Sequence, residues 1–186
     1  TSSLMCEVSF PESLKIIGDW AFSQSAISGN LVLPHNLKEI GSHAFYHCQA
    51  LTGSLTIPNQ VRVIPDCTFE HSGFTGTLTL SDGLKEIGWQ AFHDVKFKGE
   101  LNIPERVSVI GNSAFANTTF NGTIVLPKEL ISLGNRVFSG CWRLSGVVEI
   151  PENIIAVPEY LFYGCTGIEG IKLHKDVEVI ESFAFE

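Results

Sequence analysis

The sequence predicts a repeat solenoid of α/β, mostly β, character: eight stacked coils of 23–24 residues, with one parallel sheet along a face and a short helical turn in each coil. Three aligned columns carry this reading. Phe recurs at Phe22, Phe45, Phe69, Phe92, Phe115, Phe138, Phe162 and Phe185, at spacings of 23, 24, 23, 23, 23, 24 and 23. Eleven residues ahead of it stand Pro11, Pro34, Pro58, Ser81, Pro104, Pro127, Pro151 and His174. Between them run Ile17, Ile40, Ile64, Ile87, Ile110, Leu133, Val157 and Ile180.

Each coil opens on a strand. In Leu31-Val-Leu33, Leu55-Thr-Ile57, Leu78-Thr-Leu80, Leu101-Asn-Ile103, Ile124-Val-Leu126, Val148-Glu-Ile150 and Ile171-Lys-Leu173 the apolar residues sit two apart, so both face one side of a strand. The Pro that follows has no N–H to give a ladder and ends the pairing. Next comes an inward Ile and then Gly18, Gly41, Gly88, Gly111 or Gly134, a corner. Pro65 and Pro158 stand in for that Gly, so the corner does not demand positive φ. A short helical turn then buries Ala beside Phe. Three residues past the Phe stand the small residues Ser25, Cys48, Ser72, Val95, Thr118, Cys141 and Cys165, read as packing positions. A second Gly column, Gly29, Gly53, Gly76, Gly99, Gly122, Gly146 and Gly170, loosens the backbone before the next strand. One such unit cannot bury its own apolar stripe, so neighbours must stack into a shared core with the Phe column as its spine.

Composition excludes several functions. The chain has 12 Lys plus Arg against 20 Asp plus Glu, a net charge of −8, which opposes non-specific binding to nucleic acid or to an anionic membrane. No apolar run approaches the ~20 residues of a membrane helix, so direct membrane insertion by this segment is not expected. Five cysteines, without C-x-x-C spacing, leave at least one thiol unpaired within the chain. Residues 1–186 read as one repeat array, expected to be a fragment of a longer protein.

The unit L-x-L-P-x-x-[LV]-x-x-I-G-x-x-A-F-x-x-C resembles the BspA-like leucine-rich repeats of bacterial surface proteins, over about Val8 to Phe185. Units with the extra Gly, such as Gly53 to Pro65 and Gly122 to Cys141, resemble the Bacteroides type. Departures are local: Ser81 and His174 replace Pro, while Thr68, Val137 and Leu161 replace Ala. The resemblance implies a leucine-rich-repeat solenoid, an extracellular or cell-surface location, and a non-enzymatic adhesion module. Its partner would be a protein or glycan, host matrix proteins included. A structural stalk or spacer is the alternative, and a glycan-active enzyme the least favoured.

No residue pattern argues for catalysis. G-x-S-x-G, H-E-x-x-H, P-loop and G-x-G-x-x-G motifs are missing, and the acids are scattered over many rows. His47 precedes Cys48, but Cys48 belongs to the inward packing column. Cys141 and Cys165 are equivalent in adjacent coils; a disulfide is sterically open and a reduced pair is the expected state. Two residues past the Phe run Gln24, His47, His71, Asp94 and Asn117, which could offer zinc ligands. The row ends in Gly140 and Gly164 and has no legible second shell, so no metal and no cofactor is expected. Lys15, Lys38, Arg62 and Lys85 form a basic strip offset by Glu39 and Glu86, read as a solvated face.

Partner recognition is assigned to large side chains outside the consensus, because interface energy concentrates in Trp, Tyr and Arg. Trp142, Arg143 and Tyr163, following the Phe of adjacent units, are expected to share one patch, with Trp89 in the fourth unit as a further candidate. Tyr160 is a further candidate, with burial as the alternative because its column also holds Trp20 and Phe183. The outward strand row, Thr56 and Thr79 among it, offers no aromatic anchor.

Overall fold

A computed structural model describes residues 6–186, so the first five residues of the predicted array lie outside the described residues. The strands are short: β1 Ile16–Ile17, β2 Gly29–Asn30, β3 Glu39–Ile40, β4 Leu51–Thr52, β5 Leu55–Thr56, β6 Val63–Ile64 and β7 Leu78–Thr79. They continue as β8 Glu86–Ile87, β9 Val109–Ile110, β10 Ser132–Leu133, β11 Gly146–Glu149, β12 Ala156–Val157, β13 Ile168–Lys172 and β14 Val179–Ile180. All pairings are parallel and join one coil to the next, as a solenoid requires.

The single sheet predicted from the L-x-L positions is replaced by two faces. The row with a strand in every coil lies instead at the inward Ile: β1 pairs with β3, β6–β8–β9–β10 form four strands, and β12 pairs with β14. Its two interruptions coincide with the two corner prolines. Gly41 N donates to Ile17 O, Gly88 N to Ile64 O, Gly111 N to Ile87 O and Gly134 N to Ile110 O, all at 2.7–2.9 Å. Pro65 and Pro158, which have no N–H, stand at the equivalent places, and there the ladder is divided between β3 and β6 and between β10 and β12. Both breaks also fall at the 24-residue spacings, Ile40 to Ile64 and Leu133 to Val157.

On the other face the L-x-L segments pair as β5 with β7 and as β11 with β13. The later member of each pair belongs to a coil that lacks the consensus Pro. The substitutes bind across the stack: Ser81 Oγ donates to Val61 O at 3.1 Å and His174 Nε2 to Ile154 O at 3.1 Å, two equivalent carbonyls.

The predicted helical turns are absent, and no helix occurs among the described residues. The A-F segment is a run of turns in which alternate amides leave the coil. Ala21 N, Ser23 N and Ser25 N donate to the carbonyl three residues back, whereas Trp20 N, Phe22 N and Gln24 N donate to Ser42, Ala44 and Tyr46 O of the next coil. Every second amide is therefore withdrawn from any i→i−4 ladder. Left-handed residues enforce this: Trp20 and Gln24 have φ of 58° and 54°, and the two columns repeat that conformation down the stack.

The core sits between these three faces. Rings of the Phe spine stack nearly parallel, with centroids 5.4 Å apart for Phe22–Phe45, Phe45–Phe69, Phe92–Phe115 and Phe138–Phe162. A second ladder, Phe74–Phe97–Phe120 at 5.6 and 5.7 Å, meets the spine edge-on in the central coils. The corner glycines answer close approach: a Cβ on Gly41 would lie 2.3 Å from Asp19 N.

Candidate binding surfaces

Trp142 is 54% exposed, and the Arg143 guanidinium lies 4.6 Å above its ring centroid, so these neighbours form one cation–π unit. Tyr163 is exposed and meets Tyr160 edge-on at 5.3 Å. Tyr160 stacks on Phe183 at 4.9 Å and carries Arg136 over its other side at 4.4 Å. Tyr163 thus joins a cluster with Tyr160, Phe183 and Arg136, and among the described residues no ring contact links it to Trp142. Trp89 is exposed, with its amide held by Asp66 Oδ1 at 2.7 Å. Tyr160 is half-buried, and Trp20 and Phe183 of its column are 55% and 53% exposed.

A second ridge occupies the same turn face nearer the N-terminus. Trp20 stacks on His43 at 3.8 Å, His43 meets Tyr46 at 5.5 Å, Tyr46 meets His47 at 4.3 Å, and His47, His71 and His93 follow at 4.5 and 5.3 Å. Sequence reasoning followed only the column two past the Phe and so missed it. The available signal was the neighbouring column Tyr46, Glu70, His93 and Tyr163, whose large polar residues vary from coil to coil.

Beneath this ridge lies a carboxylate–imidazole cluster. Glu70 is buried, its Oε1 3.7 Å from His71 Nε2 and 3.5 Å from His93 Nδ1. His71 Nδ1 and Asp94 Oδ2 are 2.9 Å apart, and Lys96 binds the other oxygen of Asp94. Burial holds the His93 imidazole below its ordinary pKa, against the pull of Glu70. For Asp94, burial acts upward, but hydrogen bonds from Lys96 and His71 outweigh it and keep the carboxyl low. A second group, Glu152, His174 and Asp176, also has metal-ligand types within reach of one another. There, however, both His174 nitrogens are occupied, Nε2 by Ile154 O and Nδ1 by Asp176 N.

Grooves accompany both strand faces. The basic strip borders one of 760 Å³, where Lys38 and Arg62 lie beside Ile16, Val63 and Glu39. On the L-x-L face, clefts of 420 and 450 Å³ open at equivalent places, between Leu31–Leu33 and Ser54–Pro58 and between Ile124–Leu126 and Val147–Pro151.

The thiols are committed to packing. Cys48, Cys141 and Cys165 each donate to the carbonyl of the Phe one coil back, Phe22, Phe115 and Phe138, at 2.9, 3.1 and 3.0 Å. Cys141 and Cys165 are free. Burial pushes the Cys141 thiol up to about 11 and Cys165 to about 12. Cys48 is raised for the same reason, so neither its proton nor its orientation serves a His47 dyad.

An array of parallel coils with no helix among the described residues, its variable aromatics on one turn face, is a repeat solenoid, an architecture that presents extended binding surfaces. The chain belongs to the BspA type leucine rich repeat region family, whose repeats match residues 2–121 and 91–186. No curated protein is significantly similar to it. Among solved structures it is similar in fold to the T. pallidum leucine rich repeat protein (TpLRR), with a TM-score of 0.66 and 21% identity over 97% of this chain and 84% of that one. The pneumococcal vaccine antigen PcpA gives 0.66 and 19% identity, covering 93% of this chain and 52% of that one. A leucine rich cell surface protein of Faecalibacterium prausnitzii gives 0.62 and 22%, covering 88% and 52%. The chain therefore spans about half the length of two of these three.

Proposed function

We propose that this chain is a non-enzymatic binding array of a longer extracellular or surface protein, and that it recognises a protein or glycan through its turn face. The carrying observation is the exposure of Trp142 with Arg143 stacked on it, at positions the repeat does not need for its core. Tyr163, on the same face, and Trp89 belong to the same reading. Membership of the BspA type repeat family supports it, as does the F. prausnitzii relative, described as a cell surface protein. The finer form of this proposal is a host matrix protein as partner, suggested by the family, and a Bacteroides-type setting, suggested by the extra Gly before the strand. In a stalk or spacer, by contrast, exposed aromatics would have no use.

The test is binding to an array of matrix proteins and glycans, followed by paired variants on one hit. Trp142→Ala with Tyr163→Ala is expected to weaken binding at least about tenfold, as the loss of one hot-spot side chain does. Thr56→Ala with Thr79→Ala is expected to leave it unchanged. The reverse pattern moves the site to the strand face, and the absence of any hit favours the spacer.

A further inference from the structure

We propose that Glu70, His71 and His93 form a zinc site, with Asp94 orienting one ligand and the fourth position open to solvent. Glu70 Oε1, His71 Nε2 and His93 Nδ1 lie within 4.8 Å of one another. Zinc with bonds of about 2.0–2.1 Å holds tetrahedral donors about 3.3 Å apart, and the two separations from Glu70 are 3.7 and 3.5 Å. Small side-chain movements close that difference.

The protonation pattern fits. Asp94 Oδ2 accepts from His71 Nδ1–H, which leaves a lone pair on Nε2, 3.7 Å from Glu70 Oε1, and makes a carboxylate–histidine pair of the kind that orients metal ligands. Lys96 in turn anchors Asp94. His93 Nδ1 is a buried nitrogen without a hydrogen-bond partner, 3.5 Å from Glu70 Oε1. Its other nitrogen, Nε2, meets the Asn117 side-chain amide at 3.4 Å; with the amide turned over, the Asn117 oxygen accepts Nε2–H and Nδ1 becomes the free acceptor. A nearly buried carboxylate has a large desolvation cost. Among the described residues only His71 and His93 lie within ion-pair distance of Glu70, and a divalent cation between the three groups would compensate that charge.

This revises the expectation of no metal drawn from the column His47, His71 and Asp94. Stacking takes one ligand from that column and two from its neighbour, and it supplies the missing second shell. The His174 group carries no such site, because both of its ring nitrogens are engaged.

Calorimetric titration of the untagged chain with zinc tests the assignment. One zinc per chain is expected, abolished by Glu70→Gln and by His93→Ala and weakened about 10- to 100-fold by Asp94→Asn, while His174→Ala has no effect. Circular dichroism establishes that each variant is folded. The cobalt-substituted wild-type chain gives a second readout that needs no variant: intense visible bands of a tetrahedral ion without a thiolate charge-transfer band. No zinc uptake, uptake indifferent to Glu70→Gln and His93→Ala, uptake lost with His174→Ala, or a thiolate band from the nearby Cys67 each overturns the proposal.

Discussion

At the scale of single residues, the stack makes each coil's core depend on its neighbours. Phe92 is buried between Phe69 and Phe115, with centroids 5.5 and 5.4 Å away, and meets Phe97 edge-on. Phe92→Ala removes both faces of contact and leaves a cavity that two neighbouring coils cannot close, so it is expected to cost about 3–5 kcal/mol in urea unfolding. An unchanged midpoint would place the ring outside the core. Buried thiols give a second expectation. Cys141 titrates near 11 in the folded chain against an ordinary 9.0. The unfolded state loses its proton first, so the contribution is intact below pH 9 and declines as pH rises toward about 11. Melting temperature should fall across that window, and Cys141→Val, which copies Val95 of the fourth coil, should flatten the fall. A thiol reagent at neutral pH should label Cys6, which is exposed, well before the four buried cysteines.

At the scale of the element, two backbone features set where ladders run. A Cβ on Gly88 would stand 2.7 Å from Asp66 N and from Pro65 C, both backbone atoms. Gly88→Ala must therefore push adjacent coils apart, with an expected loss of about 1–3 kcal/mol; retention of wild-type stability would mean that the corner is looser than this. Pro65→Gly tests the opposite case. It returns an N–H at the place where Gly88 donates to Ile64 O, and a new bond to the preceding coil is expected, seen as slowed hydrogen exchange of the amide introduced at position 65. The net change in stability should stay within about 1 kcal/mol, since the new bond is offset by a more flexible unfolded chain.

Over the whole molecule, stability should grade along the axis because a coil is protected by the coils on both sides. In the fifth unit Ile110 and Phe115 are fully buried, whereas their counterparts in the eighth, Ile180 and Phe185, are exposed. Ile17 is buried in the first unit, but Phe22 is only partly so. Hydrogen exchange is expected to be fastest beyond about Ile171, next fastest before Phe22, and slowest near Phe92 to Phe138. Uniform protection would require the end coils to be covered in solution, by self-association for example.

Much of this was legible in the sequence because a solenoid repeats its environment. Each inward position recurs every 23 or 24 residues, so the Phe, Ile and Leu columns, the coil count and the packing role of Cys48, Cys141 and Cys165 followed from spacing alone. Local conformation did not. Ala-Phe after a Gly corner reads as a helical turn, but the amides of Phe22 and its counterparts are taken by the next coil, a competition between partners far apart in sequence. Pro65 and Pro158 looked like neutral substitutes for Gly, yet they stand where a sheet divides, at a place where Gly gives its N–H to another coil. The candidate sites divide the same way. That Trp142 and Arg143 lie outside the consensus is a fact of sequence, whereas the pairing of Tyr163 with Tyr160 and the meeting of Glu70, His71 and His93 arise only when adjacent coils come into register.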